Sequence, residues 1–270
     1  MHLYIFLFSS LFFCHAQLSV VTIKLPSELE ETSGLEFKGN HLLTHNDSGD
    51  KARLYEFTTE GKLIKSTLFY DLKNKDWEDL AADEHHYYIA DTGNNFATRE
   101  NLRIYILNKE LIPEGTIQIR YEAQKSFSKA SINEYDAEAL TVVGGNLVLF
   151  SKNRKTRQSQ LYSLPKTAGE YSLTPIATID TEALITAADY SEKEDLLALT
   201  GYDFDGKQYF YTLAKFRQNG IKNIDLTRYP IPVNPAQIEA LKIINKNEFW
   251  ITSESESKGE PRLFHLKLEL

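Results

Sequence analysis

The sequence predicts an all-β fold, a β-propeller built from four-stranded blades. Aromatic residues are abundant, with 15 Tyr and 15 Phe among 270 residues, whereas Gly and Pro number only 13 and 8. A short polar or acidic segment followed by a compact apolar strand recurs five times, and the closing apolar residues of successive segments lie 45, 60, 50 and 51 positions apart. A period of about 50 residues with several strands in each unit is typical of propeller blades.

The five recurring segments, which we call the strand starts, are expected to lead into the innermost strand of each blade. They are residues 31–35, 76–80, 136–140, 186–190 and 237–241. After each one comes a short apolar strand rich in β-branched or aromatic residues, and these lie at 42–44, 87–89, 147–150, 196–199 and 249–251. A polar loop and a third strand follow. Strands of this kind are typically buried on both faces.

The two ends of the chain are predicted to meet in one blade. Four repeats continue into a fourth strand, at 62–70, 117–122, 174–179 and 221–229, but the last repeat stops after its third strand. The strand at 20–25 has no partner within its own repeat, so we expect it to complete the last blade and remove an exposed sheet edge. We therefore favour five blades in one domain, residues 17–270. Six blades is the alternative, if 124–135 contributes further structure.

The N-terminus resembles a secretory signal. Residues 3–13 form an apolar run that is too short to span a bilayer, and Cys14, His15 and Ala16 fit a small-residue cleavage site. We predict a signal peptide at 1–16 and export to the periplasm or the medium. A lipoprotein anchored through Cys14 is the competing interpretation. Because Cys14 is the only cysteine, the exported domain has no disulfide and no thiolate metal site.

Charge limits the partners that the protein can have. The formal net charge is −8, and a nucleic-acid-binding surface would require clustered Lys and Arg instead. We expect a monomer without a transmembrane helix, whose ligand is a small molecule, a glycan or another protein.

The strand starts and the loops after the second strands are predicted to form one polar face. In a propeller blade, the start of the first strand and the end of the second lie at the same end of the channel. The oxygen-rich side chains there suit calcium. The candidate metal ligands are Glu31, Glu78, Glu138, Asp189 and Glu239. The candidate ligand-binding residues are Glu31, Asn46, Asp47, Glu78, Asp91, Asn94, Glu138, Asn153, Arg154 and Glu239.

A bound cation is not the sole way to accommodate this acidic face. Converging carboxylates repel one another, and protonation or basic neighbours can relieve the repulsion as well as a cation can. Lys152 and Arg154 stand at the matching position of the third repeat. Asn, Asp, Ser and Gly are also the residues that turns require, so part of the pattern can be purely structural.

The motifs of the first three repeats resemble known propellers. Residues 88–95 read YIADTGNN and are followed by Arg103, Ile104 and Tyr105, which is similar to the repeat of NHL-type propellers. The segments ETSGL, THNDSG, DWEDLA, DTGNN, YDAEA and SKNR, at 31–35, 44–49, 76–81, 91–95, 135–139 and 151–154, resemble a group of uncharacterised secreted propellers common in Bacteroidetes. That resemblance implies a propeller fold and export. More distantly, the chain is similar to gluconolactonase-like and esterase-like phytase propellers, which implies a divalent metal at the channel mouth.

Two functions fit these observations. The first is an exported binding module with an acidic, Asn-rich site at the mouth of the central channel. The second is a divalent-metal-dependent hydrolase of the phosphoesterase or lactonase type, with Glu78, Asp79 and His45 as the candidate catalytic residues. The sequence contains no Gly-x-Ser-x-Gly, His-Glu-x-x-His or phosphate-loop motif. We favour the binding module.

Overall fold

The computed structural model describes residues 17–220, 226–233, 236–255 and 259–269. Strands dominate these residues. In chain order they are β1 (Gln17–Lys24), β2 (Thr32–Lys38), β3 (His41–Asn46), β4 (Arg53–Phe57), β5 (Leu63–Leu68), β6 (Asp79–Ala82), β7 (His86–Asp91), β8 (Arg103–Asn108), β9 (Pro113–Tyr121), β10 (Ala137–Val143), β11 (Asn146–Ser151), β12 (Gln158–Pro165), β13 (Gly169–Leu173), β14 (Ala177–Asp180), β15 (Leu184–Ser191), β16 (Leu196–Tyr202), β17 (Gln208–Ala214), β18 (Thr227–Pro230), β19 (Ile238–Asn245), β20 (Glu248–Ser253) and β21 (Arg262–Glu269). A 3-10 turn (Ser27–Leu29) and a one-turn helix α1 (Phe216–Asn219) are also present. The predicted signal peptide and Cys14 lie outside the described residues.

The strands form five sheets, which are the five blades of a propeller. Blade one is β2-β3-β4-β5, blade two is β6-β7-β8-β9, blade three is β10-β11-β12-β14, blade four is β15-β16-β17-β18 and blade five is β19-β20-β21-β1. The innermost strands β2, β6, β10, β15 and β19 each contact the next around a closed ring. The prediction of five blades is confirmed. The six-bladed alternative is wrong, since residues 124–135 contain no strand.

Blade five closes the ring as the sequence predicted. Strand β1 pairs antiparallel with β21 along its whole length, from Gln17 opposite Glu269 to Lys24 opposite Arg262. The N-terminal strand therefore supplies the fourth strand that the last repeat lacks. One feature was not predicted: β13, which lies between the third and fourth strands of blade three, pairs in parallel with β9 and gives blade two a fifth strand.

The core lies between the blades. Five clusters of buried apolar residues occupy the five interfaces, and each draws side chains from two neighbouring sheets. Tyr88 of blade two and Leu149 of blade three share one such cluster, while the rings of Phe210 of blade four and Phe249 of blade five contact each other in another at a tilt of 58°, with their centroids 4.5 Å apart. Because both faces of every blade are covered, the strands carry apolar residues on both faces.

Polar side chains satisfy the free inner edges of the ring. The innermost strand of a blade has unpaired N–H and C=O groups along the channel, and these need partners when buried. The Asp79 carboxylate accepts hydrogen bonds from Leu140 N at 2.7 Å and Ala188 N at 3.4 Å, so it ties blade two to blades three and four. The Thr186 hydroxyl donates to Ile238 O at 2.6 Å, which links blade four to blade five.

Candidate functional site

Local irregularities of the inner strands turn acidic side chains toward one end of the channel. The pairing of β10 with β11 skips Glu138, and the pairing of β19 with β20 skips Glu239, so each residue is the extra residue of a β-bulge. A bulge redirects its side chain out of the regular alternation. In blade two, Glu78 immediately precedes β6 and is held there by a hydrogen bond from its N–H to Ala90 O at 2.8 Å. The corresponding bulge residue of blade four is Thr186, which is neutral.

The acidic residues at this end of the channel form two groups that share one member. Carboxylate oxygens of Asp47, Asp76 and Glu78 lie within 4.8 Å of one another, and so do those of Glu78, Asp136 and Glu138. Asp47 belongs to the loop after β3 of blade one, whereas Asp136 precedes β10 of blade three. Three blades therefore contribute to one patch of negative charge.

Basic side chains neutralise only one of these groups. Lys152 forms an ion pair with Glu138, and Arg154 forms one with Asp136 and lies 3.8 Å from Glu138. Burial lowers the pKa of Lys152, but Glu138, then Glu239, Tyr202 and Asp136 raise it well above its usual value. We call Glu78, Asp136 and Glu138 the paired triad, because Asp136 and Glu138 have basic partners. Among the described residues, no Lys, Arg or His forms an ion pair with Asp47, Asp76 or Glu78, so we call these three the unpaired triad.

Glu78 is a buried carboxyl group close to other carboxylates and without a hydrogen-bond donor among the described residues. Its side chain is buried, at 4% exposure, and within the described chain no hydrogen-bond donor reaches its carboxylate. Burial raises the pKa of Glu78 well above its usual value, and the nearby Glu138 and Asp47 raise it further. Burial is also the largest cause that raises the pKa of Asp47 to about 7 and that of Asp76 to about 6. A carboxylate in this position must bind a proton or a cation.

Gly93 makes room for two of these carboxylates. A Cβ atom added to Gly93 would lie closer than 3.0 Å to Oε1 of Glu78 and to Oδ2 of Asp76. The Gly93 N–H donates to Asp76 O at 3.3 Å, and the Gly93 carbonyl accepts from Arg99 Nη1 at 2.6 Å, so the glycine is fixed in place. The glycine therefore permits the close approach of Glu78 and Asp76 to the backbone.

Two further carboxylates lie on the blade-five side of the same channel end. Glu239 is 4% exposed and Glu254, at the end of β20, is 8% exposed. Burial raises the pKa of Glu254 to about 10, and Glu239, Glu31 and Asp47 add to the effect in that order. The ring of Tyr202 stands beside Lys152, whose Nζ is 5.0 Å from the ring centroid. We call the whole surface the mouth; its residues are Glu31, Asp47, Asp76, Glu78, Asp136, Glu138, Lys152, Arg154, Tyr202, Glu239 and Glu254.

Two of the candidate catalytic residues do not line the mouth. Asp79 is buried and accepts the N–H groups of Leu80, Leu140 and Ala188. His45 is fully buried, and its ring meets Trp77 edge to face with centroids 5.5 Å apart. Burial lowers the pKa of His45 to about 4. Both side chains are parts of the packed interior, and neither is placed to reach a ligand at the surface.

Several predicted ligand-binding residues hold the loops together. Asp91 pairs with Arg99 at 2.7 Å, and Asn94 donates from its N–H to Asp136 at 2.6 Å. Asn153 accepts from Lys155 N at 3.0 Å and Thr156 N at 3.1 Å, as a turn residue does. Asn46 donates to Glu28 O at 2.9 Å. These contacts position the mouth, and they correspond to the turn roles that the sequence left open.

Asp189 lies elsewhere, which corrects its inclusion among the candidate metal ligands. It is near the end of β15, where it pairs with Lys242 at 3.0 Å and accepts from Ile243 N at 2.8 Å. Lys242 also pairs with Glu36 at 2.8 Å. Ala188 occupies in blade four the position that Leu140 occupies in blade three: each lies two residues after the bulge, and they pair with Leu199 and Leu149 of their second strands. The residue equivalent to Glu138 in blade four is therefore Thr186, two residues before the position that the sequence alignment matched to it, because no acidic residue marks the bulge of this blade. Glu31 is at the edge of the mouth, beside Glu254.

Five residues of the mouth were not predicted to bind a metal or a ligand. They are Asp76, Asp136, Lys152, Tyr202 and Glu254. Asp76 and Asp136 belong to predicted strand starts, and Glu254 and Tyr202 follow second strands, so their positions in the repeat are visible in the sequence. The sequence showed that Lys152 lies near the acidic face, but it did not show that Lys152 pairs with Glu138. The sequence could not show which carboxylates the cations neutralise, because ion pairing depends on side chains from different blades.

Comparison with known proteins supports the fold alone. The chain matches no protein-family model and no curated protein sequence. Solved structures similar to it include a PQQ-bound aldose sugar dehydrogenase from Streptomyces coelicolor, with a TM-score of 0.54 and 14% identity over 94% of this chain and 99% of the other. A glucose dehydrogenase is similar with a TM-score of 0.52 and 10% identity, over 91% and 98% of the two chains. Within the described residues, no helix is long and apolar enough to cross a membrane.

Proposed function

We propose that this protein is an exported propeller module that binds a divalent cation, best matched by calcium, through Asp47, Asp76 and Glu78, and that it uses this cation to hold a ligand at the mouth. The observation that carries the proposal is the contrast between the two triads. Lys152 and Arg154 form ion pairs with two members of the paired triad, whereas no described Lys or Arg forms an ion pair with any member of the unpaired triad, although Arg99 and Lys75 lower the pKa of Asp76 from a distance. Three carboxylates held this close require a counterion or protons.

The donor atoms suit calcium. The three side chains offer only carboxylate oxygens, which hard cations prefer, and calcium takes six to eight oxygens in flexible geometry. Three carboxylates can leave coordination positions for water or for oxygens of a ligand. The paired triad is a poorer metal site because a cation there would have to displace Lys152 from Glu138. The structure therefore supports a different set of metal ligands from the one that the sequence suggested, with Glu78 common to both.

Export and calcium binding support each other. The apolar run at residues 3–13 and the likeness of the motifs to secreted Bacteroidetes propellers both favour export. Extracellular calcium modules work with dissociation constants of about 10⁻⁴ to 10⁻³ M, because calcium is plentiful outside the cell. A site of only three side-chain ligands is compatible with such modest affinity.

A binding role is better supported than hydrolysis. Of the candidate catalytic residues, Asp79 and His45 would be the general base, and both are buried: Asp79 accepts backbone N–H groups, and Nδ1 of His45 is bonded to Asn46 O. A general base must come within hydrogen-bonding reach of the water that it activates. The described mouth holds no neutral His that could serve in their place.

The test is thermal unfolding in calcium and in chelator, with metal analysis of the purified protein. A ligand that binds only the folded state raises stability by RT ln(1 + [L]/Kd), which is about 2.7 kcal/mol at one hundred times Kd. We expect calcium to raise the Tm of the native protein and bind with a stoichiometry near one. The E78Q variant should lose this response, and its apo form should be at least as stable, because a buried charge is removed.

The matched control is E84Q, since Glu84 is an exposed residue of the turn between β6 and β7. E84Q should respond to calcium as the native protein does. Equal responses of E78Q and native protein, or no calcium response at all, would overturn the proposal.

A further inference from the structure

The negative charge of the mouth is unevenly compensated. Lys152 and Arg154 make their ion pairs with blade three, through Glu138 and Asp136. Arg154 also donates to Asn95 Oδ1 at 2.6 Å, so its hydrogen bonds hold it on the side of blades two and three. On the side formed by blades five and one, Glu239 and Glu254 form no ion pair with any described basic residue. The carboxyl groups on this side therefore lack ion-pair partners of their own within the described part of the chain.

Glu239 gives an independent sign of a missing partner. Its Oε1 atom is buried and has no hydrogen-bond partner among the described residues. The Glu239 charge contributes to the pKa shifts of Asp47, Lys152, Tyr202 and Glu254, so its carboxylate faces the centre of the mouth. A buried polar atom without a partner is uncommon in folded proteins, and a donor group on a ligand would satisfy it.

The backbone fixes Glu254 beside Glu239. The N–H of Glu254 donates to Gln237 O at 3.0 Å, two residues before Glu239 at the start of β19. Lys152 exerts an electrostatic effect on both residues, yet its ion pair is with Glu138. The Gln237 side chain and the charge of Arg154 also lower the pKa of Glu239, but both Lys152 and Arg154 make their ion pairs with blade three rather than with Glu239 or Glu254.

The spacing of these glutamates favours an organic cation over a second metal ion. Neither Glu239 nor Glu254 belongs to a group of three described side chains whose ligand atoms lie within 4.8 Å of one another. A single metal ion would therefore find too few ligands there. A guanidinium carries five N–H donors in a planar fork, and an ammonium carries three, so either can reach carboxylates that are farther apart.

We infer that the blade-five side of the mouth binds the guanidinium or ammonium group of a ligand, with Glu239 and Glu254 as its acceptors. The inference rests on the proposed use of the mouth for ligand binding, but not on calcium. A charge-assisted hydrogen bond from the ligand would satisfy the Oε1 atom of Glu239. The ligand would then be a molecule with a cationic side group, such as a peptide that presents arginine.

The experiment uses two probes that differ only in charge. N-acetyl-arginine amide and N-acetyl-citrulline amide have nearly the same shape, but only the first carries a guanidinium. We would titrate each into the full exported chain by calorimetry in the presence of chelator. The arginine probe should bind at least about tenfold more tightly, as expected for the loss of charge-assisted hydrogen bonds. E239Q should weaken the arginine probe about tenfold, and the E84Q control should not.

Measuring the protons released on binding distinguishes binding at Glu239 and Glu254 from nonspecific attraction of cations to an acidic protein. Burial and neighbouring carboxylates raise the pKa of Glu254 to about 10, so binding of a cation should release a proton. The heat of binding should then vary with the ionisation enthalpy of the buffer for native protein but less for E254Q. Equal affinities for both probes, or full binding of the arginine probe by E239Q, would overturn the inference. Because chelator is present, these results do not depend on whether calcium binds.

Discussion

Replacing Gly93 by alanine tests the geometry of the unpaired triad with a single methyl group. The backbone of Gly93 is outside the left-handed region, so alanine can adopt it without strain. Its amide hydrogen bond to Asp76 O also survives the change. The added methyl would collide with the carboxylates of Glu78 and Asp76. Both are ends of flexible side chains, so we expect them to move apart rather than the fold to break.

The magnitudes of the two effects differ enough to be separated. Gly to Ala at an unstrained position stabilises by about 0.4 to 1 kcal/mol through the unfolded chain, which offsets part of the cost of moving the side chains. The apo variant should therefore stay within about 1 kcal/mol of native stability. Calcium at one hundred times Kd stabilises the native protein by about 2.7 kcal/mol, or roughly 5 to 10 °C in Tm for a chain of this size. In G93A this shift should nearly vanish.

The assay is thermal unfolding of both proteins in chelator and at rising calcium concentration. Gly145 provides the matched control, because a Cβ added there meets nothing within 4 Å and its backbone is likewise outside the left-handed region. G145A should keep the full calcium shift. A full shift in G93A would refute the idea that these two carboxylates bind calcium together, and so would an equal loss in G145A.

Two further predictions concern protonation and the closed channel. Because burial raises the pKa of Asp47 to about 7 and that of Glu254 to about 10, their folded forms favour the proton, and the stability that protonation provides is lost as pH rises through these values. In chelator, lowering the pH from 8.5 to 6.5 should stabilise the protein by roughly 3 kcal/mol, at about 1.4 kcal/mol per pH unit for Glu254 with a smaller part from Asp47, measured by urea unfolding; a flat or opposite trend would contradict the raised pKa values. D79A should cost roughly 3 to 6 kcal/mol, because three buried N–H groups lose their acceptor. D79N keeps an acceptor oxygen and should cost less, and equal stability of D79A and native protein would exclude this role for Asp79.

The sequence predicted the fold well because the repeat is carried by local patterns. Apolar strands at regular spacing are buried on both faces in any propeller, and the missing fourth strand of the last repeat left one place for β1. The pairing of β13 with β9 was not predictable in this way. It joins an insertion of blade three to the edge of blade two, and no repeat pattern specifies a contact between blades.

The sequence predicted correctly which end of the channel carries the acidic residues, but it was less accurate about which residues lie there. Glu78, Glu138 and Glu239 share a repeat position, and the structure brings them to the mouth. Asp189 was aligned wrongly because the bulge position of blade four holds the neutral Thr186, so the glutamate that occupies this position in blades three and five is missing there. The division between paired and unpaired carboxylates needed the positions of Lys152 and Arg154 relative to neighbouring blades.

The closed ring itself accounts for the different roles of adjacent acidic residues. Five inner strands converge on a narrow channel, so some side chains there must satisfy free backbone groups while others are left at the open end. Asp79 accepts N–H groups from two other blades, and Glu78, one residue earlier, has no described donor. Both are carboxylates of the same strand start, so neither residue type nor repeat position separates them. Only the presence of a backbone donor within reach decides which carboxylate is structural and which is available to a cation.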